Sequence, residues 1–398
     1  MMKRITPVMA LFLLWTSSPT AWSQSEPTPS DKITLQVRPR SEWRDGYQRL
    51  RQPGESGTLL SMQRTRLTWH HDGGKWEVRL GFQDVRTFGD PSGNAGYGAF
   101  AATESWGAWK PNDRTRITAG RQRIAFDNER IVGAVNWSQY GRFHDGIRWD
   151  QQTNLGKTTV ALTWDAPAHL TRIMAHHVYT SAQHRVSLVY FNQLNSQDRA
   201  ASVATSGFTW TGKKENTPIS WLVEAYMQSQ QADLPISYMG VVEVRAKGPK
   251  LGKSLVALDW VEGDARGRAF NPFMGTNHRH YGWMDQFYVG IPANGMVDAR
   301  MHWSKPFKRT EWKARWDVRY HRFYNAEFNE HLADEVDAVI VFTPTGDVKA
   351  SFGWSVMKAT ETMYASQGRM SVENGWQQWG WVALNFSPTV LLNQIQKK

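Results

Sequence analysis

Residues 311–323 read EWKARWDVRYHRF, and they alternate strictly. Trp312, Ala314, Trp316, Val318 and Tyr320 share one parity; Lys313, Arg315, Asp317, Arg319 and His321 share the other. A period of two marks a β-strand whose two faces meet different surroundings. The pattern recurs along the chain. Ile33, Leu35 and Val37 oppose Gln36, Arg38 and Arg40, and Trp76, Val78, Leu80 and Phe82 oppose Glu77, Arg79 and Gln83. Val160, Leu162 and Trp164 oppose Thr159 and Thr163, and Trp221, Val223 and Ala225 oppose Glu224 and Tyr226. Val297, Ala299, Met301 and Trp303 oppose Asp298, Arg300 and His302. Segmentation at turn signals gives roughly eighteen strands of about ten residues, the length a tilted strand needs to cross hydrocarbon.

The connections carry a second signal. HHDGGK (70–75), KPND (110–113), GKKENTP (212–218), KGPKLGK (247–253), KPFKRT (305–310) and TPTG (343–346) are short and turn-like. Between them lie longer links at 89–100, 127–141, 267–295 and 361–374. This alternation is the asymmetry of an outer-membrane barrel, with short periplasmic turns and long extracellular loops. A sheet in lipid can leave no edge, so it must close. The expected fold is therefore all-β, a closed antiparallel transmembrane β-barrel of about 18 strands, wide enough for an aqueous channel. A soluble sandwich array or β-solenoid gives no reason for the alternating links, and no repeat of 20–50 residues is visible.

Composition agrees with that setting. MMKRITPVMALFLLWTSSPTAWS has a basic start, a short apolar run and a small-x-small end at Ala21–Ser23, which reads as a signal peptide over 1–23. The run is too short for a membrane anchor. The 398 residues contain no cysteine, which suits an exported bacterial envelope protein. Without Lys3 and Arg4 there remain 45 basic residues against 36 acidic ones, a net charge of +9 that favours an anionic partner. Export makes nucleic acid the least suitable. The 21 Trp and 12 Tyr exceed what a core requires and suit the two membrane interfaces. The expected division is signal peptide 1–23, periplasmic leader 24–32, barrel 33–386 and C-terminal periplasmic extension 387–398, because WQQWGWVALNF stops at Phe386.

Three stretches, SMQRTRLTW (61–69), GRQRIAFDNERIVGAVNWSQYGRFHDGIRW (120–149) and NPFMGTNHRHYGWMDQF (271–287), resemble the alginate-export family of outer-membrane barrels. The resemblance implies an eighteen-stranded monomeric barrel in the bacterial outer membrane. It also implies an arginine-rich pore for an anionic exopolysaccharide, and a place for Arg121 in that pore through the GRQ motif. Two features depart from the family pattern: the residues after Phe386, and Asp298 and Asp317 among the inward cations.

By parity, Arg38, Arg40, Arg64, Arg66, Arg79, Arg148, Arg300, Lys313, Arg315 and Arg319 fall on charged faces together with Asp317. Guanidinium forks pair both oxygens of a carboxylate, and a ring of them sets anion preference in a pore. The plainer alternative is that they pair with acids across the lumen and stiffen the wall. His278 and His280 have no third ligand at a supporting spacing, so no metal and no cofactor is expected. A loop of the length of 267–295 is expected to fold over or into the barrel. GESG at 54–57 is not a nucleophile elbow, and no paired carboxylates stand at a glycosidase-like position, so the expectation is a channel and not an enzyme. Its partners would be anionic polysaccharide or small anions, outer-membrane lipid and lipopolysaccharide, and periplasmic export proteins. A general anion-preferring porin, an outer-membrane enzyme and a non-conducting structural barrel are the alternatives.

Overall fold

The computed structural model describes residues 29–89, 100–198, 202–230, 236–249, 252–263, 269–288, 290–307 and 312–392. The expected signal peptide and most of the 89–100 link lie outside these residues. The first nine strands are β1 (Ser30–Asp45), β2 (Thr58–Asp72), β3 (Trp76–Thr87), β4 (Ala101–Asn112), β5 (Thr115–Gln122), β6 (His144–Thr153), β7 (Gly156–Asp165), β8 (Leu170–Thr180) and β9 (His184–Asn195). There follow β10 (Val203–Lys213), β11 (Ile219–Ser229), β12 (Ser237–Gly248), β13 (Gly252–Val261), β14 (Met296–Pro306), β15 (Lys313–Tyr324), β16 (His331–Thr345), β17 (Val348–Ala359) and β18 (Trp376–Phe386). Each pairs antiparallel with its neighbours in sequence. β1 pairs with β18 from Val37↔Phe386 to Asp45↔Gln378, so the sheet closes on itself as an 18-stranded barrel.

Period-two chemistry decides which face is which. Leu67, Leu80, Ile147, Leu188, Val242, Val256, Leu258, Met301, Val336 and Phe352 are exposed on the outside of the wall. So large an apolar exterior would be untenable in water and is natural in lipid. Aromatic girdles bound it at both ends. Trp76, Trp109, Trp210 and Trp303 lie towards the short turns, and Trp43, Trp164, Trp260 and Trp376 towards the long loops. The barrel is a protein of the bacterial outer membrane, with turns such as 154–155 and 346–347 on the periplasmic side and links such as 123–143 and 262–295 outside.

Both ends of the expected barrel shift. β1 begins at Ser30, inside the expected leader, where Asp31 and Lys32 pair with His71 and His70. After Phe386 the chain resumes as β19 (Thr389–Leu391), paired with Lys32–Thr34 in the register β18 holds against β1. Pro388 has no N–H to offer the ladder, which explains the break; its carbonyl still accepts from Leu35 N at 3.1 Å. Part of the segment expected to leave the barrel is thus still wall. Residues 393–398 lie outside the described residues.

The core lies inside the barrel. Ile124, Phe126, Ile131 and Val132 from the β5–β6 link, with Phe270, Met274, Tyr281, Met284 and Phe287 from the β13–β14 link, pack on inward residues. Those wall residues include Met174, Phe191, Leu222, Met239, Val261, Phe323 and Met357. Both links therefore fold into the lumen on the external side.

Candidate functional site: the lumen and its inserted loops

Direct ladder partners place the expected lumen residues. Arg38 stands opposite Arg64, Arg148 opposite Thr118, Arg300 opposite His321 and Arg319 opposite His302. The side chains of Arg38, Arg40 and Arg64 reach residues of the inserted 123–143 loop, which fixes these faces as inward. Arg66 and Arg79 share the inward parity of β2 and β3, and Lys313, Arg315, Asp317 and Arg319 that of β15. The opposite parity carries Val318, 36% exposed on the outer wall.

Arg121 is the exception. It shares its face with Ile117, opposite Trp109 on the outer wall, and stands directly across from Asp145. Its guanidinium pairs with Asp145 at 2.5 Å, with both side chains about half exposed (41% and 51%) at the external rim. The expectation that it lines the pore is corrected: the ladder runs cleanly through Gly120, and Thr118 and Gln122, not Arg121, face inward.

The arginines do three different things. On β1 and β2 they clamp a loop. Arg38 donates to the carbonyls of Asn136 (2.9 Å), Trp137 (3.1 Å) and Ser138 (2.7 Å), and to Gln139 Oε1 (2.9 Å). Arg40 donates to Trp137 O at 2.8 Å and lies 4.4 Å over its ring, while Arg64 holds Ser138 O and Gln36 Oε1. On β11–β16 they neutralise an acidic wall. Arg300 pairs with Glu243 and Asp259, and His321 donates from Nδ1 to Asp298 at 2.8 Å. Others each pair with one nearby acid. Arg79 lies 3.2 Å from Glu104, Arg148 2.8 Å from Asp150, and Arg315 and Arg319 each 3.8 Å from Asp317.

Sequence parity did not reach the residue that anchors the inserted loops. Arg130 is fully buried, donating to Glu224 and Asp259 at 2.8 Å each, with Tyr281 stacked 5.5 Å away. It sits in a loop without periodicity, so only the buried acids on two distant strands reveal its role. The two loops also grip one another. Gly133 N donates to Met274 O (2.8 Å), Thr276 Oγ1 to Glu129 (2.6 Å), and Arg142 to the carbonyls of Gly133, Met274 and Gly275. A Cβ at Gly133 would fall 2.2 Å from Thr276 Oγ1, so this contact needs glycine. At the far wall Met284 N donates to Glu335 at 2.8 Å, an approach that Gly282, at φ +79°, leaves open.

His278 and His280 serve packing. His278 donates to Asp285 at 2.7 Å and stacks on Trp137; His280 Nε2 donates to Asn128 O at 3.1 Å. Burial, reinforced by Arg130, Arg300 and Arg279, pushes the His280 pKa well below its ordinary value, so it stays neutral near pH 7. Among the described residues no group of three or more potential ligands could hold a metal.

Beneath the loops two cavities open towards the turns. One, about 490 Å³, is lined by Arg245, Lys247, Lys253, Arg279, Arg300 and Arg319, with Glu243 as its acid. The other, about 640 Å³, is lined by Arg79, Lys110, Arg114, Arg116, Arg148 and Lys157, with Glu77, Asp113 and Asp150. Arg245 was legible in VVEVRAK, where Glu243, Arg245 and Lys247 alternate with apolar residues. Arg279 was not, because it rises from the inserted loop.

Comparison with known proteins supports the fold. No family model and no curated protein matches the chain, so the alginate-export resemblance rests on the three quoted stretches alone. Among solved structures, Acinetobacter baumannii OccAB2 superposes with a TM-score of 0.67 at 10% identity, covering 90% of this chain and 98% of that one. Pseudomonas aeruginosa OpdL gives 0.65 at 10% identity, covering 90% and 99%. Pseudomonas aeruginosa OccK8 (OprE) gives 0.65 at 9% identity, covering 90% and 98%. At such identities the likeness is one of fold, a porin-type barrel.

Proposed function

We propose that this protein is a passive outer-membrane channel whose basic lumen passes anionic oligo- or polysaccharides, a uronate polymer such as alginate among them, in the direction of export. The observation that carries the reading is the pair of cation-rich cavities beneath the inserted loops, where guanidinium and ammonium groups outnumber carboxylates. At such sites a carboxylate is drawn in by charge and oriented by the arginine forks. The porin-type fold agrees with passive passage. A second reading, a general anion-preferring porin, is favoured by the inserted loops, which divide the external lumen and suit small solutes.

Block of the ion current separates the two. An oligogalacturonate should interrupt current through the wild type at low salt, and a neutral oligosaccharide of equal length should not. Arg315→Glu with Arg319→Glu, which places negative charge beside Asp317, should weaken the block at least several-fold. An anion-selective channel that no oligouronate blocks would leave the general porin.

A further inference from the structure

Lysine, unlike arginine, is nearly confined to one end of the barrel. Apart from Lys32 and Lys358, every lysine among the described residues lies in a short periplasmic turn or within three residues of one. The long external links contain arginine and no lysine. An interfacial role towards lipid headgroups would place these lysines on the outer wall, with their stems along the apolar belt. The register does the opposite for most of them. Lys247 and Lys253 stand opposite each other across β12 and β13 and line the first cavity. Lys110 and Lys157 line the second. Lys213 stands opposite Ser220 with the inward parity of Thr209, and Lys349 opposite Asn385 with that of Ser355. Lys313 and Lys32 share inward parity with Asp317 and Arg38. Lys358, at the other end of the barrel, faces out onto Trp376.

Pairing divides the same groups. Lys110 and Lys157 meet Asp72, Glu77 and Asp150. Among the described residues Lys32, Lys213, Lys247, Lys253, Lys313 and Lys349 make no ion pair. Of the described arginines higher in the lumen, Arg38, Arg64, Arg66 and Arg142 also lack a carboxylate, but main-chain and amide oxygens hold them in place, and Arg123 rests against the Phe143 ring. The unpaired charge that is also free to move is therefore concentrated at the periplasmic mouth, as ammonium groups on flexible stems. Ammonium is a strongly hydrated point charge without the fork that fixes a ligand's orientation. It suits loose, rapidly exchanging capture of a chain carrying many carboxylates. Multivalent contact adds avidity without slow release at any one site.

We infer that the periplasmic mouth is a lysine-lined capture site for an extended polyanion with regularly spaced carboxylates, which loads the channel from the periplasmic side. This rests on the reading of the protein as an anion channel and adds a polarity to it. The test is the sidedness of block in planar bilayers, with barrel orientation fixed by a protease site placed in the 46–57 loop. Oligogalacturonate added on the turn side should block at concentrations at least tenfold lower than on the loop side. Combining Lys247→Gln, Lys253→Gln and Lys349→Gln should reduce that ratio towards one, and Lys358→Gln should leave it unchanged. A symmetrical block in the wild type, or full sidedness in the triple variant, would overturn the inference. A channel without anion selectivity would instead remove the underlying reading, and a reversal potential taken in the same bilayer tells the two apart. Equilibrium binding of labelled oligogalacturonate to the barrel in nanodiscs reads the mouth independently of conductance. It should fall at least fivefold in the triple variant, and binding equal to wild type would again overturn the inference.

Discussion

Val318 and Asp317 are neighbours in sequence and face different solvents. A cation on the lipid side near the midplane costs about 2–4 kcal/mol, so Val318→Arg should lower stability by that order, read by urea unfolding in vesicles. Lys313→Val, at the inward mouth, should stay within about 0.5 kcal/mol of wild type. A reversal of the two effects would mean that the register is off by one and every lumen placement inverts. Parity alone placed eleven of the twelve expected lumen residues on the inward face. Arg121 came through the resemblance and not through parity, because Ile117 and Ala119 share its side while Ile124 and Phe126 lie opposite. Parity was silent on Arg130, Arg142 and Arg279, since residues in non-periodic loops have no face until the loop packs. Parity shows which way a side chain points and not what it holds, so the clamping roles of Arg38, Arg40 and Arg64 were also out of its reach.

At the level of elements, the strands were legible because lipid and water select residues on opposite faces with a period of two. The ends of the barrel were less so. Ser30–Lys32 and Thr389–Leu391 pair with little apolar alternation to mark them. The inserted loops are the less regular part of the design. Their apolar residues fill the external lumen, and Arg130 ties them to two strands through buried carboxylates. Breaking a buried pair of this kind costs about 3–5 kcal/mol, because it leaves the partner charges stranded. Arg130→Met should therefore release the 123–143 and 262–295 loops before it unfolds the barrel, seen as new protease sites in those loops while the β-rich circular dichroism persists. Replacing residues 269–288 with a short Gly-Ser link should raise single-channel conductance several-fold and weaken ion selectivity. An unchanged conductance would mean that the loop lies outside the permeation path.

The whole molecule is a closed wall with an apolar outside, a charged inside and two loops folded between. Inward acids and cations stand on both halves of the wall, so the net field in the lumen is a difference of large opposing sets. The unpaired lysines at the turn side and the unpaired arginines of β1 and β2 tip that difference. Their influence should weaken with salt, as the screening length drops from about 10 Å at 0.1 M to about 3 Å at 1 M. The most direct measurement of the central claim is the reversal potential of the wild-type channel under a tenfold KCl gradient in a neutral bilayer. The predicted result is chloride carried in preference to potassium, most strongly with 0.01 M against 0.1 M KCl and weakening as both are raised. Preference for potassium, or no conductance at any voltage, would contradict the basic-lumen account.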